Sequence, residues 1–303
     1  MTAITEGPAR RQAETPFRRF AAEFCASRVA VGALFVLAAI ALVSILAPWI
    51  TPQDPFDLKQ LDILDSKLPP WSLGADGTTM FWLGTDDQGR DMLSAIVYGL
   101  RTSILVGVGA SLGALVIGMP VGMLAAYFGG RTDSLIMRVV DIQLSFPAIL
   151  IALILLAVLG QGVDKIIVAL VAVQWAYYAR TVRGTALVER HREYIEAARC
   201  LALGHRRIVF RHLLPNCLPP LIVVNTVLVA SAIALEATLS FLGLGLPITK
   251  PSLGLLIANG FEYMLSGKYW ISFFPGVALL VTIVCINLVG DQLRDVLNPR
   301  LQR

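Results

Sequence analysis

Charge is scarce in this chain of 303 residues: 15% are Asp, Glu, Lys or Arg, 56% are hydrophobic, and the mean hydropathy is +0.71. Soluble domains carry about 25% charge, so the composition excludes an ordinary water-soluble fold and fits a membrane protein. Cysteine is also sparse. Cys25, Cys200, Cys217 and Cys285 form no C-x-x-C pair, which excludes a disulfide framework and a zinc site of the usual spacing. No G-x-x-x-x-G-K-[ST] phosphate loop occurs, because Gly267-Lys268 is followed by Tyr269, so the chain has no means of hydrolysing ATP alone. Its histidines, His191, His205 and His212, stand among arginines in one segment. No Ser or Cys is visibly paired with a base, and a catalytic constellation is absent. These absences predict no catalytic residue, no metal and no cofactor on this chain.

What is abundant is apolar sequence in long runs. A hydrocarbon core about 30 Å thick requires about 20 largely apolar helical residues per crossing. Runs of that kind cover 29–50, 103–128, a stretch starting near 134 that is uncharged over 142–160, 218–242 and 271–290. A shorter one covers 166–179 before Arg180 interrupts it, and its inner end must snorkel or lie among headgroups. The expectation is an all-α polytopic membrane protein with six transmembrane helices.

Orientation follows from the basic residues, which collect in cytoplasmic loops. With both termini inside, only Lys59, Lys67, Arg90, Arg101, Lys165, Lys250 and Lys268 of the 25 basic residues fall outside. The net charge of +4 therefore reflects topology, and no nucleic-acid binding is read from it. The first run is at full spanning length and is followed by Pro48-Trp49-Ile50, unlike a cleaved signal peptide. The organisation expected is a cytoplasmic tail over 1–28, a first helix over 29–50 and a periplasmic segment over 51–101. A five-helix core over 102–293 and a short cytoplasmic tail over 294–303 complete it.

The outer segment is rich in Pro, Asp and Gly up to residue 84 and reads as irregular. Thr85 and Gln88 have capping-box spacing, and Met92, Leu93, Ile96, Val97 and Leu100 recur on one helical face. That pattern predicts an amphipathic helix lying on the outer surface and leading into the second span. Asp86, Asp87 and Asp91 lack calcium-loop spacing and read as solvated turn residues. Gly109 with Gly113, and Gly118 with Gly122, are G-x-x-x-G pairs that admit a close neighbouring helix. Pro120 and Pro147 are candidate kinks.

Between the fourth and fifth runs stands EYIEAARCLALGHRRIVFRHLLPN, beginning at Glu193. A positive loop of this kind binds anionic headgroups at about 1 kcal/mol per charge, yet its pattern holds more than charge. Tyr194, Ile195, Ala198 and Leu201 form one helical stripe, and small Ala197 and Ala198 let it sink into a groove. Gly204 is placed to end this helix in a left-handed turn. Ile208, Phe210 and Leu213 start a second segment, and Pro215, Pro219 and Pro220 mark entry to the fifth run. Two short helices around a turn make a projection suited to docking.

In this loop Glu196-Ala197-Ala198 and, after a fixed gap, Leu214-Pro215 resemble the EAA loop of permease subunits in ATP-binding-cassette importers. The resemblance extends to most of the chain: LAPWITPQDPF from Leu46, WLGTDDQGRDMLSAIVYGLRTSILVG from Trp82, Ser145-Phe146-Pro147, EATLSFLGLG from Glu236 and NLVGDQLRDVLNPR from Asn287. These are similar to the C-type permease of dipeptide, oligopeptide and nickel importers. The resemblance implies the type I importer permease fold in a bacterial inner membrane and a coupling loop over 181–217. Tyr194, Glu196, Ala197, Ala198, Arg199, Gly204, Leu214 and Pro215 are its coupling residues. It further implies a heterodimer with a homologous permease, two cytosolic ATPase subunits that hold ATP and Mg, and a periplasmic solute-binding protein. The chain departs from the family where the usual turn glycine falls at Ala202 and where His212 replaces Ile.

Ionisable groups inside runs cost about 2.5–3.5 kcal/mol at a helix centre. Glu236 is the one deep in a span; pore lining and a hydrogen bond to another helix are both open for it. Arg138 and Asp141 are spaced to pair across one turn, and Asp291, Arg294 and Asp295 read as interface or capping charges. An ion-coupled secondary carrier is the alternative, though lone mid-span acids and repeated halves are not its strength here. Peptides are the expected substrate, with nickel or an opine-like amide open.

Overall fold

The computed structural model describes residues 16–297, so the outermost parts of both expected tails, 1–15 and 298–303, lie outside the described residues. The chain opens with α1 (Pro16–Cys25), α2 (Arg28–Ile45) and the single turn α3 (Ala47–Ile50). Ser27 caps α2 by accepting the Ala30 amide at 3.3 Å, satisfying one of the free donors of its first turn. Phe20 and Phe24 of α1 pack with Ala30 and with Val289, Leu293 and Val296 near the chain's end. The outer segment follows, irregular as expected apart from 3-10 turns and a two-stranded antiparallel ribbon, β1 (Ser72–Leu73) and β2 (Met80–Phe81).

Then come α4 (Met92–Phe128), α5 (Gly130–Ser145), α6 (Ala148–Leu159) and α7 (Val163–Glu189). The series ends with α8 (Glu193–Cys200), α9 (His205–Arg207), α10 (Leu214–Phe241), α11 (Leu253–Phe261) and α12 (Trp270–Leu297). A π-helical turn over Ile208–Leu213 joins α9 to α10. Six crossings were expected. On length and composition four helices qualify, α2, α4, the continuous stretch through α10, and α12, with α5 and α6 as a fifth if that pair, bent by 88°, counts as one broken span. Phe146-Pro147 makes the bend, since proline removes an amide and forces its predecessor into extended backbone. α7 runs unbroken through Arg180 to Glu189, longer than the 166–179 expected, with Gln174, Arg180 and Arg183 diluting its apolar character.

The start of α4 corrects two expectations. Its cap is Asp91, which accepts the Ser94 amide at 2.8 Å, and not the Thr85–Gln88 box. Thr85 is instead buried, taking the Leu68 amide at 2.8 Å and donating to the Asp65 carbonyl at 2.5 Å. The apolar stripe of the first turns of α4 is not left facing outward. Met92, Ile96 and Leu100 are buried against Leu253 and Leu256 of α11 and Trp270 and Ile271 of α12. The stripe meets protein because α11, a helix not anticipated, folds back over it. The acidic cluster is likewise not solvated: Asp86 is 0% and Asp91 1% exposed. Asp86 accepts from Arg90 Nε at 2.6 Å, and Arg90 Nη1 donates to the Ile248 carbonyl at 3.1 Å. Burial, reinforced by Asp86, raises the Asp87 carboxyl above its ordinary value.

The core is the α4–α7 contact. A Cβ at Gly118 would lie 2.2 Å from the Trp175 carbonyl oxygen, and one at Gly122 2.3 Å from that of Ala179. Only glycine permits such backbone approach, the helix-packing role the spacing predicted. Gly109 and Gly113 face side chains instead: a Cβ there would lie 3.4 Å from Ile167 Cδ1 and 2.7 Å from Val171 Cγ2. Above this contact Tyr178, Ser111 and Asn225 share hydrogen bonds of 2.5 to 3.1 Å that tie α4, α7 and α10 together.

Arg90→Ala strands the Asp86 carboxylate in a dry site and is expected to destabilise the outer segment by about 3–5 kcal/mol. Limited proteolysis within residues 51–91 checks this: the single variant is cut faster than wild type, and Asp86→Ala/Arg90→Ala recovers most of the resistance. Equal cutting of all three would contradict the buried pair.

Candidate coupling site

α8 forms where its charges suit a helix, with Glu193 and Glu196 in the first turn and Arg199 in the last, complementing the helix dipole. Its inward stripe is Ile195 and Ala198, 1% and 4% exposed, packed on Ile208 with Tyr127 and Leu203 around them. Leu201 does not join that stripe. It lies past the last helical residue and is 74% exposed, and Leu203 takes its place after the chain turns.

The turn itself is at Ala202, φ 53°, in the left-handed region. Gly204, expected to supply that conformation, is extended at φ −62° and ψ 146° and precedes α9. The left-handed residue thus occupies the position where the importer family usually has glycine, and an alanine there carries a penalty of about 1 kcal/mol. Beyond it Ile208 and Leu213 are buried, while Phe210 is exposed.

Of the residues singled out by sequence, Glu196, Ala197, Arg199, Gly204 and Pro215 are exposed, Tyr194 is partly so, Leu214 is half-buried and Ala198 is buried. Tyr194 faces its own chain. Its hydroxyl donates to Glu189 Oε2 at 2.7 Å and accepts from Asn216 Nδ2 at 3.0 Å, and Asn216 also donates to the His212 carbonyl at 2.8 Å. Burial, with Glu189 next, pushes the phenol up to about 12. One side chain therefore ties the end of α7, α8 and the start of α10. Two further ties reach α4: Tyr127 Oη and His205 Nδ1 are 2.5 Å apart, and Arg190 Nη1 donates to the Ala126 carbonyl at 2.6 Å. Sequence reading missed Asn216, Tyr127 and Glu189, because partners brought together from distant positions leave no spacing signal.

Arginines on α7 fix the neighbouring α5. Arg183 binds Asp133 through Nε at 2.5 Å and Nη2 at 2.6 Å, a bidentate geometry. Arg180 pairs with Asp141. This corrects the expected Arg138–Asp141 pair: the acid turns toward α7, packed beside it, instead of along its own helix. Glu236 is 0% exposed and accepts hydroxyl donors from Ser103 at 3.0 Å and Ser240 at 2.8 Å. Ser252, whose hydroxyl accepts the Leu255 amide at 3.2 Å, caps α11. Of the two roles open for Glu236, hydrogen bonding to another helix is the one this geometry contains. Asp291 and Arg294 line a cavity near the C-terminal end of α12. Among the described residues no group of three or more His, Cys, Asp or Glu is placed to hold a metal.

A projecting helix keyed onto a helical membrane body is the arrangement a docking loop requires. Residues 118–303 match the model of the binding-protein-dependent transport system inner membrane component, and 15–70 match the N-terminal transmembrane domain of oligopeptide transport permease C. The chain belongs to this permease family. It is 36% identical over 95% of its length, and 93% of the relative's, to the di/tripeptide transport system permease protein of Pseudomonas aeruginosa. Over 96% of its length and 97% of the relative's it is also 36% identical to the dipeptide permease protein of Haemophilus influenzae. A chain of the MetNI methionine transporter in an inward-facing conformation superposes with a TM-score of 0.57 at 23% identity, covering 68% of this chain and 98% of that one. That likeness supports the importer permease fold for the core.

Ala202→Gly removes the left-handed penalty and is expected to stabilise the folded protein by about 1 kcal/mol, whereas Gly204→Ala changes stability little. Thermal unfolding of the purified variants checks this, and the opposite order would contradict the position of the turn.

Proposed function

We propose that this chain is the transmembrane subunit of an ATP-driven importer for di- or oligopeptides in a bacterial cytoplasmic membrane. It crosses six times, with α7 as the fourth span and both termini inside, and forms half of the pathway with a homologous permease. Substrate arrives from a periplasmic solute-binding protein, and ATP and Mg are held by two cytosolic ATPase subunits, one of them docked on α8. The observation that carries this reading is the exposed Glu196, Ala197 and Arg199 on a helix whose other side is locked to α4, α7 and α10. Such a helix moves only with the body behind it, so a displacement imposed from the cytosol becomes a rotation of the spans. Coupling of this kind needs a loop position that differs between nucleotide states.

The peptide assignment rests on the names of the permease relatives of Pseudomonas aeruginosa and Haemophilus influenzae. A secondary carrier is less favoured, because Glu236 is enclosed by serine hydroxyls and reaches no lumen in this conformation.

In sealed vesicles holding the full complex, peptide uptake is expected to require ATP and to survive collapse of the proton gradient. Glu196→Lys places a cation on the docking face and is expected to lower uptake at least tenfold and to release the ATPase on purification. Uptake that fails with the proton gradient, or a Glu196→Lys complex that stays intact and active, would overturn the reading.

A further inference from the structure

A cavity of about 740 Å³ lies on the inner half of the membrane body between α7, α10 and α12. Its walls are mostly apolar, as at Val227 and Leu228, with Tyr177, Thr181 and Ser231 adding hydroxyls. The charged residues that line it are Asp291 and Arg294. Both are exposed, and neither has an ion-pair partner among the described residues. The contrast with α7 is informative, since Arg180 and Arg183 there are neutralised by the acids of α5. On α12 one acid and one base stand three residues apart, about 4.5 Å along the helix axis, and face the same space without joining.

We propose that this cavity is a low-affinity resting site for short peptides on their way to the cytosol. Asp291 receives the α-ammonium and Arg294 the α-carboxylate. The inference rests on the proposed peptide-importer reading and deepens it. An extended dipeptide spans about 7 Å between its ends, and side chains three apart on a helix share one face with Cβ atoms about 5–6 Å apart, a spacing that lets both ends be met at once. A guanidinium matches a carboxylate with two parallel donors, and a carboxylate is the natural acceptor for an ammonium. Only the termini are common to all peptides, so placing the charges there and leaving an apolar wall for the side chains reads the backbone while tolerating many sequences. The cavity lies within the range of about 300–1,000 Å³ typical of small-molecule sites.

The test uses the complete complex in nanodiscs, free of solute-binding protein, and a photoactivatable dipeptide, glycyl-benzoylphenylalanine, with its N-acetylated and C-amidated forms. The unmodified peptide is expected to label α7, α10 or α12 around the cavity, and either modification to lower the yield at least fivefold. Asp291→Asn should abolish the sensitivity to acetylation alone, and Arg294→Gln the sensitivity to amidation alone. Asp291→Glu and Arg294→Lys, which keep the charges, should preserve both and control for assembly. No labelling, labelling elsewhere, equal labelling by all three peptides, or an unchanged pattern in the neutral variants would overturn the site. ATP-driven uptake of Gly-Leu by the wild-type complex in sealed vesicles, supplied with its solute-binding protein, separates the two claims. Absent uptake defeats the peptide-importer reading itself, while normal uptake with any of those labelling results defeats the site alone.

Discussion

Backbone contact between α4 and α7 at Gly118 and Gly122 is the constraint on which the rest of the helical body depends. In hydrocarbon no hydrophobic force presses helices together, so close packing and a few polar ties decide which helices adhere. Here the carbonyls of Trp175 and Ala179 occupy the space that two side chains would need. The Tyr178, Ser111 and Asn225 bonds then extend the joined pair to α10. With three helices fixed, α7 leaves the membrane body at a defined place and carries its arginines to the acids of α5.

That rigidity continues into the projecting loop. Ile195 and Ala198 sink against Ile208, and Tyr194 holds Glu189 on one side and Asn216 on the other. The loop therefore has no soft joint at its base: both its entry from α7 and its exit into α10 are gripped by the same phenol. Fixed geometry between the loop and the spans is what would let a push on one turn of helix be felt across the membrane. At the opposite face the Asp86–Arg90 pair and the Glu236 cluster perform a similar service, binding the outer segment, α4, α10 and the connection to α11 into one block.

Much of this was legible in the chain, for reasons that differ by element. The long apolar runs at α2, α4, α10 and α12 announce themselves because spanning a bilayer demands unbroken hydrophobicity. The glycine pairs declare the α4–α7 contact because little else uses that spacing. The projecting loop was readable from the small and charged residues around Glu196 and from its family pattern. What was lost depended on burial among distant parts. Asp86 and Asp91 look solvated until α11 and the outer segment close over them. The Met92–Leu100 stripe suits a membrane surface equally well until α11, hidden inside a glycine-rich connection, supplies another partner. Ala202 rather than Gly204 takes the left-handed turn because the end of α8 is fixed by Ile195 and Ala198 packing, not by where a glycine is available. Asp141 likewise chooses Arg180 across a helix interface over Arg138 on its own helix.

The central claim is that the outward side of α8 is covered by a cytosolic ATPase while its inward side is locked to the spans. The most direct measurement is thiol labelling of an Ala197→Cys variant, otherwise free of exposed cysteines, in inside-out vesicles with and without the ATPase subunits. The account predicts rapid labelling in their absence, strong protection when they are bound, and no labelling from the opposite membrane face. Labelling that ignores the ATPase, or that occurs from the outer face, would contradict it.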